Sequence, residues 1–116
     1  MIQANITTAF TVLLGVQFLH SLEELSTGFH KRWYLFTMPF WVFLLWEILF
    51  QGFWVSVLLV EEFPHREWLM QFFILLMVAN AIQHFIWAAK EKRYVPGLYT
   101  APLFLIVFLW FNILAL

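Results

Sequence analysis

The chain has 116 residues, of which 64% are hydrophobic and only 11% are charged. So few polar side chains cannot cover the surface of a soluble domain, and the composition therefore predicts a membrane protein. A formal net charge of −1 argues against a nucleic-acid partner, and the absence of cysteine excludes disulfides and thiolate metal sites.

Four apolar stretches follow one another along the chain, at about residues 6–25, 40–60, 68–89 and 98–116. The first three have about 20 residues each, and at about 1.5 Å per residue they match a hydrocarbon core of roughly 30 Å. The fourth is slightly shorter and follows a Pro-Gly turn. We therefore predict an all-α protein, a single domain over residues 1–116 with four transmembrane helices in one bundle.

The basic residues predict the orientation of these helices. Five of the six lie in the first and third connections, and the second connection holds only Arg66. These five are Lys31, Arg32, Lys90, Lys92 and Arg93. Because cytoplasmic loops carry an excess of Lys and Arg, both termini should lie on the non-cytoplasmic side. We expect a multi-pass protein of the plasma (inner) membrane, with the lipid bilayer as its main partner.

Several ionisable side chains lie inside the apolar stretches, where they are expensive and usually mark a functional site. They are His20, Glu23, Glu24, Glu47 and His84. Ten Leu, Ile, Val or Phe residues favour insertion of the first stretch by about 3–6 kcal/mol, and each central charge opposes it by about 2.5–3.5 kcal/mol. Two bare carboxylates would nearly cancel insertion, so they should lie near the interface, be protonated or be neutralised by a cation.

Spacing places these groups at a common depth. His20 and His84 each follow the start of their stretch by about 15 residues on parallel helices, and Glu47 reaches a similar level on the antiparallel helix between them. Glu24 lies one turn from His20. We expect both imidazoles and at least one glutamate carboxylate to point into the same space between helices.

Residues 20–24, HSLEE, fit the motif that names the HXXEE-domain family of small predicted membrane proteins. Residues 94–97, YVPG, fit the YXPG motif of that family, and His84 matches its further histidine. The chain thus resembles this family over most of its length. The resemblance implies a multi-helix membrane protein of uncharacterised function, and it supplies no reaction.

One hypothesis is a metal-dependent enzyme, a hydrolase or an oxidoreductase, that acts on a lipophilic substrate. The nitrogen and oxygen ligands suit Zn²⁺ or Fe²⁺, and the candidate ligands are His20, Glu24, Glu47 and His84. The candidate catalytic residues are Glu23, Glu24 and Tyr94. Gln17 and Asn80 extend the polar stripes by one helical turn and would orient the ligands.

Two other classes of function fit the same residues. The carboxylates and histidines are also typical of a proton- or cation-coupled site, as in small multidrug-resistance exporters, although the strong charge bias and the clustering near one face differ from those proteins. A structural membrane subunit with interhelical hydrogen bonds is the third alternative. A homo-oligomer fits all three.

Overall fold

The computed structural model describes residues 6–114, which form five helices and no strand. The helices are α1 (Ile6–Ser26), α2 (Phe29–Arg32), α3 (Phe40–Leu59), α4 (Arg66–Glu91) and α5 (Ala101–Leu114). The all-α prediction is confirmed.

Three of the helices, α1, α3 and α4, are long and apolar enough to cross a membrane. The fourth apolar helix, α5, has 14 residues and is shorter than a typical span. It begins three residues later than the sequence predicted, because residues 96–100 form a turn. The predicted end at Leu116 lies outside the described residues.

A short helix that the sequence pattern did not predict, α2, follows α1 directly. Gly28 separates the two helices and adopts the left-handed conformation, with φ of 82°. Because glycine adopts this conformation without steric cost, the chain can turn after α1, and Phe29 packs against α3 and α4. Phe29 stacks on Phe43 of α3 at 4.8 Å and meets Trp87 of α4 edge-on at 5.7 Å.

The core divides into two clusters along the bundle. At the end near the start of α1, an aromatic cluster joins Phe10, Trp54 and Phe73, with ring centroids 4.9–6.1 Å apart. At the other end, a smaller cluster centres on Phe29 and Trp87. Because α1 packs against α3, α4 and α5, polar groups on α1 can reach all three neighbours.

Candidate metal centre

Three buried side chains meet between α1 and α4. The Nε2 atoms of His20 and His84 lie 3.1 Å apart, and Oε2 of Glu24 lies 3.4 Å from the first and 3.2 Å from the second. Both histidines are fully buried, and Glu24 is 5% exposed. The predicted convergence of two imidazoles and one carboxylate is therefore confirmed.

These distances fit a metal ion. Two ligands that each lie about 2.0–2.1 Å from a tetrahedral zinc ion are about 3.3–3.4 Å from each other. The three separations, 3.1–3.4 Å, are close to that value. His20, Glu24 and His84 could thus hold one ion with little rearrangement.

Thr100, in the turn before α5, orients the ring of His20. Its hydroxyl donates to Oε1 of Glu23 at 2.7 Å and lies 2.7 Å from Nδ1 of His20. Since a hydroxyl has one proton to donate, Nδ1 must donate to it. The lone pair of His20 is then on Nε2, the atom that faces Glu24 and His84. A carboxylate that orients a metal-ligating histidine is common in metal sites, and here a hydroxyl stands between the two groups.

Gly97 closes the site on the side of the turn. Its φ is +94°, and a Cβ at this position would collide with Cε1 of His84 and lie 2.8 Å from Cε1 of His20. Both the backbone conformation and the close approach require glycine. The fourth position of YXPG is therefore in direct contact with both histidines.

Glu23 has a different position from Glu24, although it is adjacent in sequence. Its carboxylate lies outside the metal-ligand group and accepts five hydrogen bonds from the turn that precedes α5. The donors are the hydroxyls of Tyr94 and Thr100 and the backbone N–H groups of Gly97, Tyr99 and Thr100. Because the N-terminus of a helix favours an anion, Glu23 fastens the turn to α1. The sequence suggested a catalytic role for Glu23, and that role stays a prediction; the contacts that the structure shows are the five donors of residues 94–100.

Tyr94, the other residue predicted to be catalytic, is bound to the same carboxylate. Its hydroxyl donates to Oε2 of Glu23 at 2.5 Å. Burial and this hydrogen bond raise the pKa of the Tyr94 hydroxyl above its ordinary value. The hydroxyl therefore keeps its proton at neutral pH and donates it to Glu23 of α1.

Glu47 lies near the centre but outside the three-ligand group. It is 7% exposed and accepts a hydrogen bond of 2.6 Å from Ser21, a residue of the HXXEE segment that sequence reasoning did not single out. The structure thus separates Glu47 from the other predicted ligands. Its carboxylate lines a cavity that Glu24 also lines.

The two amides predicted to orient the ligands do not do so in the described part of the chain. Asn80 accepts a hydrogen bond from Gln83 at 3.1 Å. Gln17 is buried, and its Oε1 has no hydrogen-bond partner among residues 6–114. The orienting group is Thr100. Its place three residues after Gly97 of YXPG was the available signal, but spacing alone cannot show which helix a turn touches.

A cavity of about 730 Å³ lies beside the centre, between α3 and α4. Glu24, Glu47 and Gln17 line it, and apolar side chains of α3 and α4 form most of its remaining wall. Pockets for small ligands usually measure about 300–1,000 Å³. The cavity therefore has the volume of a binding site and shares Glu24 with the metal-ligand group.

Residues 11–111 match the family model described as a protein of unknown function with HXXEE motif. The chain belongs to the HXXEE family. Searches of curated proteins and of solved structures found no match. The structure gives each part of the motif a physical role: His20 and Glu24 enter the ligand group, and Glu23 holds the YXPG turn that closes over it.

Proposed function

We propose that this HXXEE protein is a membrane-embedded metalloenzyme that acts on a lipophilic substrate. The observation that supports this proposal is the group of three buried ligand atoms from His20, Glu24 and His84, all within 4.8 Å of one another. The adjoining apolar cavity supplies a place for the substrate.

Charge balance favours an ion at this position. Among the described residues, the ion-pair partners of Glu24 are His20 and His84 alone. With neutral imidazoles, the group would carry an uncompensated negative charge at a buried site, which is costly in a membrane. A divalent cation removes that cost and keeps its ligands deprotonated.

Two histidines and one carboxylate suit catalysis, because three protein ligands leave a coordination position open. Zinc with such ligands polarises a carbonyl or activates water, and iron(II) with the same set activates oxygen. Glu47 lines the cavity at the same end as Glu24 and is the candidate general base. Thr100 and Glu23 would orient His20 through their hydrogen bonds.

The geometry supports an enzyme better than a coupled transporter. A carrier exposes its site alternately to the two sides of the membrane. Here Gly97 packs against both imidazoles, and five hydrogen bonds to Glu23 hold the turn in place. The cavity gives access from the opposite direction, toward α3 and α4.

Elemental analysis of the purified protein tests the proposal. We expect about one zinc or iron per chain in the wild type and almost none in a His20→Ala, His84→Ala double variant. The matched control is a His30→Ala, His65→Ala double variant, which also loses two imidazoles and should keep the metal. Equal metal contents in the two double variants would contradict the proposal, as would a metal-free wild type after expression in metal-supplemented medium.

A further inference from the structure

The cavity beside the metal-ligand group has a mixed lining. Its apolar lining comes from both α3 and α4, and from the segment that joins α2 to α3. Examples are Phe43, Trp46, Phe50, Leu76, Met77 and Ala79. Its polar lining residues are Gln17 and Glu24 of α1, Glu47 of α3, and Asn80 and Gln83 of α4. A ligand there would place an apolar chain against the first set and its polar atoms against the second.

Gln17 is a polar lining residue with an unpartnered buried atom. It is 4% exposed, it lines the cavity, and its Oε1 has no partner within residues 6–114. A buried acceptor without a hydrogen bond costs about 1–3 kcal/mol, so a ligand that donates to it gains affinity. A hydroxyl can donate such a hydrogen bond. The cavity therefore fits a hydroxyl-bearing head group at Gln17.

The lining offers no cationic side chain to an anionic head group. Glu24 and Glu47 both line the cavity, and no Lys or Arg is among the described residues that do so. The proposed metal ion would balance the charge of Glu24, but Glu47 would still lie in the same cavity as a phosphate or a fatty-acid carboxylate. A neutral head group avoids this repulsion.

From these observations we propose that the cavity binds a neutral single-chain lipid, with its hydroxyl-bearing head at Gln17 and its chain between α3 and α4. The inference rests on the proposed function, because it names the substrate class of the metal centre. The outer faces of both helices are apolar and exposed at residues such as Leu49 and Ile82. The hydrocarbon chain of the lipid can thus pass between α3 and α4 into the surrounding bilayer.

Native mass spectrometry in a mild detergent can test the binding, with 1-monooleoylglycerol as the probe. We expect one monooleoylglycerol per chain, and at least about tenfold weaker retention of oleate and of lysophosphatidylglycerol, a difference of roughly 1.4 kcal/mol. Equal retention of the neutral and anionic lipids would overturn the proposal.

Variants of α4 test where the hydrocarbon chain of the lipid lies. Ala79 lines the cavity, so Ala79→Trp should fill it and abolish retention. Ala79 and Ile82 are both exposed, but Ile82 does not line the cavity, so Ile82→Trp should retain the lipid like the wild type. Gln17→Leu should weaken retention about tenfold, the size of one hydrogen bond. Unchanged retention in Ala79→Trp would overturn the assignment.

The same samples distinguish this inference from the proposed function. Neither imidazole lines the cavity, so His20→Ala, His84→Ala should lose the metal and keep the lipid. A wild type that binds metal but no monooleoylglycerol would overturn the lipid proposal alone. A wild type that binds the lipid but no metal would overturn the metalloenzyme proposal and leave lipid binding as an independent property.

Discussion

The two ends of the bundle are built from the same helices by different interactions. At the aromatic end, Phe10 of α1 meets Phe73 of α4 edge-on at 5.0 Å, within a cluster of apolar side chains. At the polar end, His20 and His84 of the same two helices meet at 4.6 Å between ring centroids. The ring contacts have similar lengths in the two regions, and their chemistry differs.

This difference shows that the free-energy cost of burying polar side chains is confined to one end of the bundle. Packing of α1 against α4 needs no polar group, as the aromatic end demonstrates. Buried histidines and carboxylates in a membrane are expensive, and here they gather at one end together with a turn that fits closely over them. A cluster of buried ionisable side chains at one end is expected at a functional site and not in a protein with a purely structural role.

The positive-inside rule predicts that the polar end faces the cytoplasm, and labelling from one side of the membrane gives an all-or-none test of this orientation. The chain has no cysteine, so single cysteines can be placed at Glu62 and Tyr99, both exposed and at opposite ends. In intact cells an impermeant thiol reagent should label Glu62→Cys, and it should label Tyr99→Cys only after permeabilisation. The reverse pattern would invert the topology.

Truncation of one ring at each end should separate metal binding from packing. We expect His84→Ala to weaken metal binding by more than about 100-fold, since it removes a ligand and not merely a group that orients one. Phe73→Ala should lower the thermal stability, because a buried Phe-to-Ala change typically costs about 3–5 kcal/mol, but it should keep the metal. Titration with a competing chelator and a thermal melt measure both. Metal loss in both variants would mean that the ends are not independent.

Gly97→Ala should disturb the polar end selectively. The added methyl would collide with the ring of His84, and φ of +94° is strained for alanine. We expect metal affinity to fall by about 100-fold or less, as when a supporting group moves. Gly52→Ala is the matched control, because a Cβ there has no neighbour within 4 Å. Wild-type affinity in Gly97→Ala would show that the turn does not shape the site.

Thr100→Val tests the orientation of His20. Valine keeps the shape of the side chain but cannot bridge His20 to Glu23, so metal affinity should fall about 10–100-fold. Thr100→Ser keeps the hydroxyl and should restore most of the affinity. If valine and serine behave alike in a chelator competition, the hydroxyl does not orient the ring.

The smallest effect should come from Tyr94→Phe, because Glu23 keeps its other four hydrogen bonds. One hydrogen bond to a charged group is worth about 1.5–3 kcal/mol at most, and we expect a lower melting temperature with the metal retained.

The raised pKa of the Tyr94 hydroxyl means that its contribution to stability is complete below the ordinary tyrosine pKa of about 10. It disappears only as the pH rises through the higher folded value. The difference from wild type should therefore be constant from pH 7 to 9. Tyr99→Phe, at a 76% exposed position, is the control.

Much of the architecture could be predicted from apolar length and helical spacing. Residues 6–25 and 40–60 anticipated α1 and α3 to within one residue, because a span must match the thickness of the hydrocarbon. The shared depth of His20 and His84 followed from the rise per residue on two parallel helices. The HXXEE and YXPG motifs likewise indicated two segments that the structure brings into contact.

Only the tertiary structure decided which neighbours each of these residues meets. Glu23 and Glu24 are successive residues, so they project about 100° apart from α1 and meet different neighbours. One therefore reaches the turn before α5, and the other reaches the two histidines. Helical periodicity fixes the directions in which side chains leave one helix, but it does not fix which helix or turn lies in each direction. The pairing of Thr100 with His20, across 80 residues, depends on packing and could not be read from spacing.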